Sequence, residues 1–323
     1  MDTKDFMPDD AVIAAIRHDI EGYERERASA HSQITWRVPV FLLTPVIVVI
    51  LLAVWFNRLA DPNEQWSSTP HVFLYFIGFA SLFFLYAAAM RPATRLQKSF
   101  RAHLLPIVFG FIKDVRYANG EEPGSFDRLP SEAVGGFNRQ SFDDVVSGSY
   151  SGFSFELYEA NLRQKAGKSE STIFKGVIVA FEAAAPFPGI LIATRKSNMV
   201  VSFFRGIFGG AALEEVTSGN AALDETYDFR TDNQAAALPL VQGRLAQALQ
   251  WLGEAWPDEP ARVALRGADG FLLLPVSRNF FELPGVSVPL DYKAHIEPII
   301  ADMASLLATV SLVRKVNAGD GET

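Results

Sequence analysis

The chain has 323 residues, no cysteine and a formal net charge of −8. It therefore lacks disulfides, thiolate nucleophiles and cysteine-ligated metals, and it suits a reducing compartment. From residue 91 onward it carries 23 basic and 27 acidic side chains, so no basic excess points to nucleic acid.

Residues 1–37 are expected to be a cytoplasmic segment built on an amphipathic helix. Pro8-Asp9-Asp10 supplies a start with acids at the positive end of the dipole. Ile13, Ile16, Ile20, Tyr23, Arg27, Ala30 and Ile34 alternate spacings of three and four. That is a heptad-like seam with Arg27 as its flaw, and it motivates an expected homo-oligomer.

Residues 38–56, VPVFLLTPVIVVILLAVWF, and 72–90, VFLYFIGFASLFFLYAAAM, are uncharged runs of nineteen. At about 1.5 Å per residue each spans close to the ~30 Å hydrocarbon core of a bilayer. With a short extracytoplasmic loop at 57–71 between them, they predict a transmembrane hairpin. A cleaved signal peptide fits poorly, because the lead is long and acidic and no small-residue cleavage site follows. Arg25, Arg27 and Arg37 precede the first run, Arg91, Arg95, Lys98 and Arg101 follow the second, and only Arg58 lies between. The bias puts both termini in the cytoplasm. Neither run holds an Asp, Glu, Lys, Arg or His, which argues for an anchor over a transport path.

Residues 91–118 read as a juxtamembrane amphipathic helix. Leu96, Phe100, Leu104, Ile107 and Phe111 take one side, and Arg91, Arg95, Lys98, Lys113 and Arg116 the other. These five basic residues are the candidates for contact with anionic lipid or a partner. Their plainer role is a solvated, topogenic face.

Residues 118–131 form a turn-rich linker into a cytoplasmic domain, 119–323. Strands are expected at 153–162 and 172–183 as a hairpin, at 189–196 and 226–232, and at 261–277 as a second hairpin turning at Ala268-Asp269-Gly270. Helices are expected at 235–255 and 291–316, with their apolar stripes as core. The fold class is α+β: a two-helix transmembrane hairpin plus a cytoplasmic domain with a mostly antiparallel sheet and packed helices.

The order of these elements resembles a family of bacterial membrane-anchored proteins classed as a domain of unknown function. The motifs that carry it are Gly148-x-Tyr150, Phe174-x-Gly176 and Tyr227-x-Phe229-x-Thr231-Asp232. The resemblance implies the hairpin topology and a bacterial inner membrane, and adds no catalytic residue.

Residues for chemistry are sparse. The five histidines, at 18, 31, 71, 103 and 295, show no metal-ligand spacing. FFRGIFGGAALEEV (203–216) lacks the Lys-Ser/Thr of a phosphate loop. It reads as a bending loop whose Phe203, Phe204, Ile207 and Phe208 could meet lipid or a partner. Asp143, Asp144, Glu156 and Glu159 read as a solvated face whose strand geometry does not converge on one pocket. Arg163, Lys165, Lys168 and Lys175 read as a charged hairpin tip. No catalytic, cofactor-binding or metal-binding residue is assigned. The functional expectation is an interaction or ligand-binding module with a protein partner at the inner membrane. The alternatives are an enzyme with a carboxylate or hydroxyl site, and peripheral lipid binding through the basic helix.

Overall fold

The computed structural model describes residues 6–59, 66, 68–167, 169–196, 213–256, 261–277, 279–281 and 284–315. They divide into two units. One comprises residues 14–105 with 284–295; the other comprises the described parts of 1–13, 106–283 and 296–323.

The first unit is helical. The amphipathic segment and the first apolar run form one helix, α1 (Asp10–Leu59), with Pro39 and Pro45 inside it; prolines are tolerated in apolar helices that can span a bilayer. α2 (Thr69–Ala89) runs back along it. A Cβ on Gly78 would sit 2.5 Å from Val49 Cγ2, so the glycine lets the two backbones approach closely. At the far end His71 is fully buried. Its Nδ1 lies 2.6 Å from Ser68 Oγ and its Nε2 3.0 Å from the Ala53 carbonyl. This is a satisfied structural histidine.

α3 (Arg91–Val108) follows α2 directly. Ala93 and Leu96 pack with Ala30 of α1 and with Val286. Arg27, the apparent flaw in the α1 seam, is buried. It forks onto Glu24 and donates to the Val286 carbonyl at 2.5 Å, while Glu24 accepts from Leu290 N at 2.9 Å. Ile16, Ile20 and Ala30 are likewise buried within this chain. Of the seven seam residues, Ile16, Ile20, Arg27 and Ala30 are thus buried, and Ile13, Tyr23 and Ile34 partly so.

Among the described residues three helices are long and apolar enough to cross a membrane: 10–58, 69–89 and 292–314. Their surroundings differ. Leu51 on α1 and Phe76, Phe79, Phe83 and Phe84 on α2 are each more than 60% exposed, whereas Ile300, Met303, Leu307 and Val310 are fully buried. The third helix, a π-turn at Tyr292–Ile296 continuing as Glu297–Arg314, is core, as its stripe predicts. The exposed apolar helices make this a membrane-associated chain.

The second unit is α+β. Among the described residues its strands are β1 (Lys113–Asn119), β2 (Arg139–Tyr150), β3 (Phe153–Ala166), β4 (Ser169–Arg195), β5 (Glu214–Val216), β6 (Tyr227–Thr231) and β7 (Arg262–Pro275). All pairs are antiparallel. β4 organises the sheet. Along one edge its first part pairs with β3 and its last residues with β6; along the other, β7 follows it from Gly176 to Thr194. α4 (Ser131–Val134) and Phe126 cover one face, where Tyr158, Leu162, Ile178, Phe271 and Leu273 cluster. On β4 also pack α6 (Gln234–Val241) and α8 (Glu297–Arg314), with α7 (Arg244–Ala255) against α8 and α5 (Ala221–Thr226) beside β6. Sheets covered on both faces need unbroken apolar runs, and β4 buries every residue from Gly176 to Phe181.

Four expectations change. The juxtamembrane helix ends at Val108, not 118, and Lys113 and Arg116 belong to β1. A Cβ on Gly148 would lie 2.5 Å from Ile112 Cγ2 and 3.0 Å from the Lys113 carbonyl, so this glycine admits β1 against β2. The segment 118–131 is no free linker, because Phe126 stacks edge-on with Phe142 at 4.7 Å in the core. Residues 261–277 are one strand rather than a hairpin. β4 bulges between Glu182 and Ile190, and β7 answers with Gly267 at φ +57 opposite Phe187, so turn-permissive residues serve a bend instead of a reversal. Finally, 235–255 breaks at Gly243, where a Cβ would meet the Pro239 carbonyl at 2.8 Å.

A candidate functional pocket at the β2 bulge

Phe142 pairs with Ala160 and Val145 with Tyr158, so Asp143 and Asp144 together oppose the single residue Glu159. A bulge of this kind places two residues of one strand against one of the other. The oxygens of the three carboxyl groups come within 4.8 Å of one another. The expectation that these acids lie apart on a solvated face is therefore corrected: register alone would scatter them, and the extra residue brings them together.

Their neighbours come from two directions. From β1, the Tyr117 hydroxyl donates to Asp144, and Asn119 Nδ2 donates to Asp143 and Asp144, both at 3.0 Å. From the segment after β7, Asn279 Nδ2 reaches Asp143 at 3.4 Å, and the backbone N–H groups of Phe280 and Phe281 donate to Glu159 Oε1. Asp144 is fully buried. Burial pushes the Glu159 carboxyl up to about 7, and Asp144 and Asp143 push the same way against the two N–H donors. Asp143 and Glu159 open onto a cavity of about 250 Å³ that Ser141, Asn161, Lys175 and Asn279 also line, with Gly176 in its wall; Asp144 lies behind them. The Asn161 Oδ1 is buried without a hydrogen-bond partner.

A carboxyl that changes charge near neutrality beside two others can exchange a proton with a bound molecule. The trio is also the described group of His, Asp or Glu residues with spacing for a cation. Lys175, expected at a charged hairpin tip, lies instead at this cavity. Arg163 of the same patch is paired with Glu170 at 3.2 Å. Glu156 stands apart from the trio, accepting from Gly124 and Ser125 N. One signal in the sequence could have exposed the pocket: adjacent acids, Asp143-Asp144, inside an otherwise alternating run.

Of the five basic residues read as lipid or partner contacts, Arg91 and Arg95 come together on α3, in a cleft shared with Arg25 and Arg37 of α1. Lys113 and Arg116 stand on β1. The Lys98 side chain and the glycine loop with Phe203, Phe204, Ile207 and Phe208 lie outside the described residues.

No protein-family model and no curated protein matches this chain. Among solved structures it is similar to the crystal structure of the mycobacterial trehalose monomycolate transport factor A. The identity is 11% and the TM-score 0.38, over 63% of this chain and 87% of that one. A likeness at that level says nothing of function.

Proposed function

We propose that the chain is a hairpin-anchored binding module of a bacterial inner membrane. On this reading α1 and α2 cross the bilayer, both termini are cytoplasmic, and the α+β domain presents the β2-bulge pocket to a small polar ligand or to a partner's polar side chain. The carrying observation is the contrast in coverage: apolar side chains stand open along α1 and α2, and are enclosed along α8. The absence of Asp, Glu, Lys, Arg and His from both apolar runs supports an anchor over a conduit. The topology agrees with the membrane-anchored family that the element order resembles.

The pocket is tested by thermal-shift screening of small polar compounds, and by crosslinking in cells, on the full-length protein and its Ser141→Trp variant. Ser141 is exposed at the cavity mouth, so tryptophan should block the opening without disturbing the core. A ligand or partner held by the parent and lost by an equally stable variant is the expected result. Equal capture by both would remove the pocket from the account.

A carboxylate enzyme is the second reading, favoured by the Glu159 carboxyl poised near neutrality. It predicts turnover of the captured ligand that Glu159→Gln abolishes while binding persists.

A further inference from the structure

We infer that the cleft between α1 and the start of α3 is a binding site for one anionic phospholipid, its phosphate head group on four arginines and its acyl chains along the hairpin. Arg25, Ser29, Gln33 and Arg37 recur every fourth residue and so share one face of α1. Arg91 and Arg95 repeat that spacing on the first turns of α3. These residues line one cleft of about 1070 Å³. Glu26 is the single acid among its lining groups, leaving a strong positive excess. Guanidinium forks suit phosphate oxygens, which they bind through paired N–H donors.

The cleft changes character along its length. Beyond the arginines it is lined by Trp36, Phe41 and Ala88. Trp36 is 54% exposed and carries Arg37 over its ring at 5.5 Å, as aromatic residues do at the head-group level. From there exposed apolar side chains follow, Val40 and Leu43 on α1 and Phe84, one turn from Ala88, on α2. A soluble anion would match only the arginines. An amphiphile matches the whole path, and that decides the occupant.

The inference rests on reading α1 and α2 as membrane-spanning, yet its test is separate, because lipid selectivity can fail in a hairpin that inserts normally. The full-length protein in a neutral detergent is titrated with phosphatidylglycerol, phosphatidylcholine or inorganic phosphate. Native mass spectrometry then counts adducts, and thermal unfolding reports stabilisation. One phosphatidylglycerol per chain, with little phosphatidylcholine, is the expected result. Arg91→Gln/Arg95→Gln should bind it roughly tenfold more weakly or worse. Arg91→Lys/Arg95→Lys should keep part of the affinity, and Arg58→Gln, at the other end of the hairpin, all of it. Both cleft variants change exposed side chains, so their lipid-free melting should match the parent's. Equal binding of the two lipids, or undiminished binding by the double glutamine variant, would overturn the inference. Stabilisation by inorganic phosphate as large as that by phosphatidylglycerol would overturn the lipid as occupant and leave a free-anion site.

Discussion

Gly176→Ala is expected to destabilise the α+β domain by about 3 kcal/mol or more, and to leave little folded domain at growth temperature. The cause is distance. A Cβ at this position would stand 2.1 Å from the Leu274 carbonyl oxygen, 2.6 Å from Val276 N and 2.8 Å from Pro275 Cα. All three are backbone atoms, so no side-chain rotation relieves the clash. Gly176 pairs with Ala160 on one side and Pro275 on the other, which means that a shift of β7 would disturb the most heavily paired strand in the sheet. Gly253→Ala is the matched control. It lies in α7 with nothing within 4 Å of its would-be Cβ, and alanine there should stabilise by ~0.5–1 kcal/mol. Denaturant unfolding of the two variants, followed by near-ultraviolet circular dichroism, checks both. Parent-like stability in Gly176→Ala would show that β7 does not approach β4 so closely.

Glu159 gives the second large effect, as a dependence on pH. Its carboxyl rises from an ordinary value of 4.5 to about 7 in the folded chain, first through burial and then through Asp144 and Asp143. Lys175 is the one basic side chain lining the same cavity. Between those two values the folded state holds a proton that the unfolded state has released. Stability therefore falls as pH rises through that window and levels off above it. The contribution is on the order of 2 kcal/mol after discounting for partial exposure. Glu159→Gln removes it: the variant should lose less stability than the parent between about pH 5 and about pH 8. Parallel curves for the two proteins would place the titrating proton elsewhere.

The features legible in the sequence are those fixed by local pattern. Two uncharged runs of nineteen mark the exposed apolar helices of α1 and α2, because bilayer thickness sets a length that soluble helices seldom need. The β3–β4 hairpin follows from alternation in 153–162 and a second β-like run beyond a polar turn, and α8 from a stripe of Ile and Leu at helical spacing. The misread features depend on what lies across from them. Ala268-Asp269-Gly270 could turn or bend. Only the bulge in β4, opposite it, decides for a bend. Lys113 and Arg116 continue the basic periodicity of α3, yet β2 offers Val145, Val146 and Ser147 as strand partners, and pairing prevails over helical propensity. The pocket was hidden for the same reason. Asp143, Asp144 and Glu159 meet through one extra residue in β2, of which the adjacent acids Asp143-Asp144 are the one sign in the sequence. Arg91 and Arg95 follow from charge and helical spacing, but their companions Arg25 and Arg37 come from a helix more than fifty residues earlier in the chain. Sequence spacing within one helix could not join them.

The hairpin anchor carries the rest of the account, and the absence of cysteine makes it directly measurable. Single cysteines at Ser32, Thr69 and Glu121, each exposed, would be labelled with a membrane-impermeant maleimide in spheroplasts before and after permeabilisation. The account predicts that Thr69→Cys reacts at once, and that Ser32→Cys and Glu121→Cys react only after permeabilisation. Labelling of all three from the same side would contradict it.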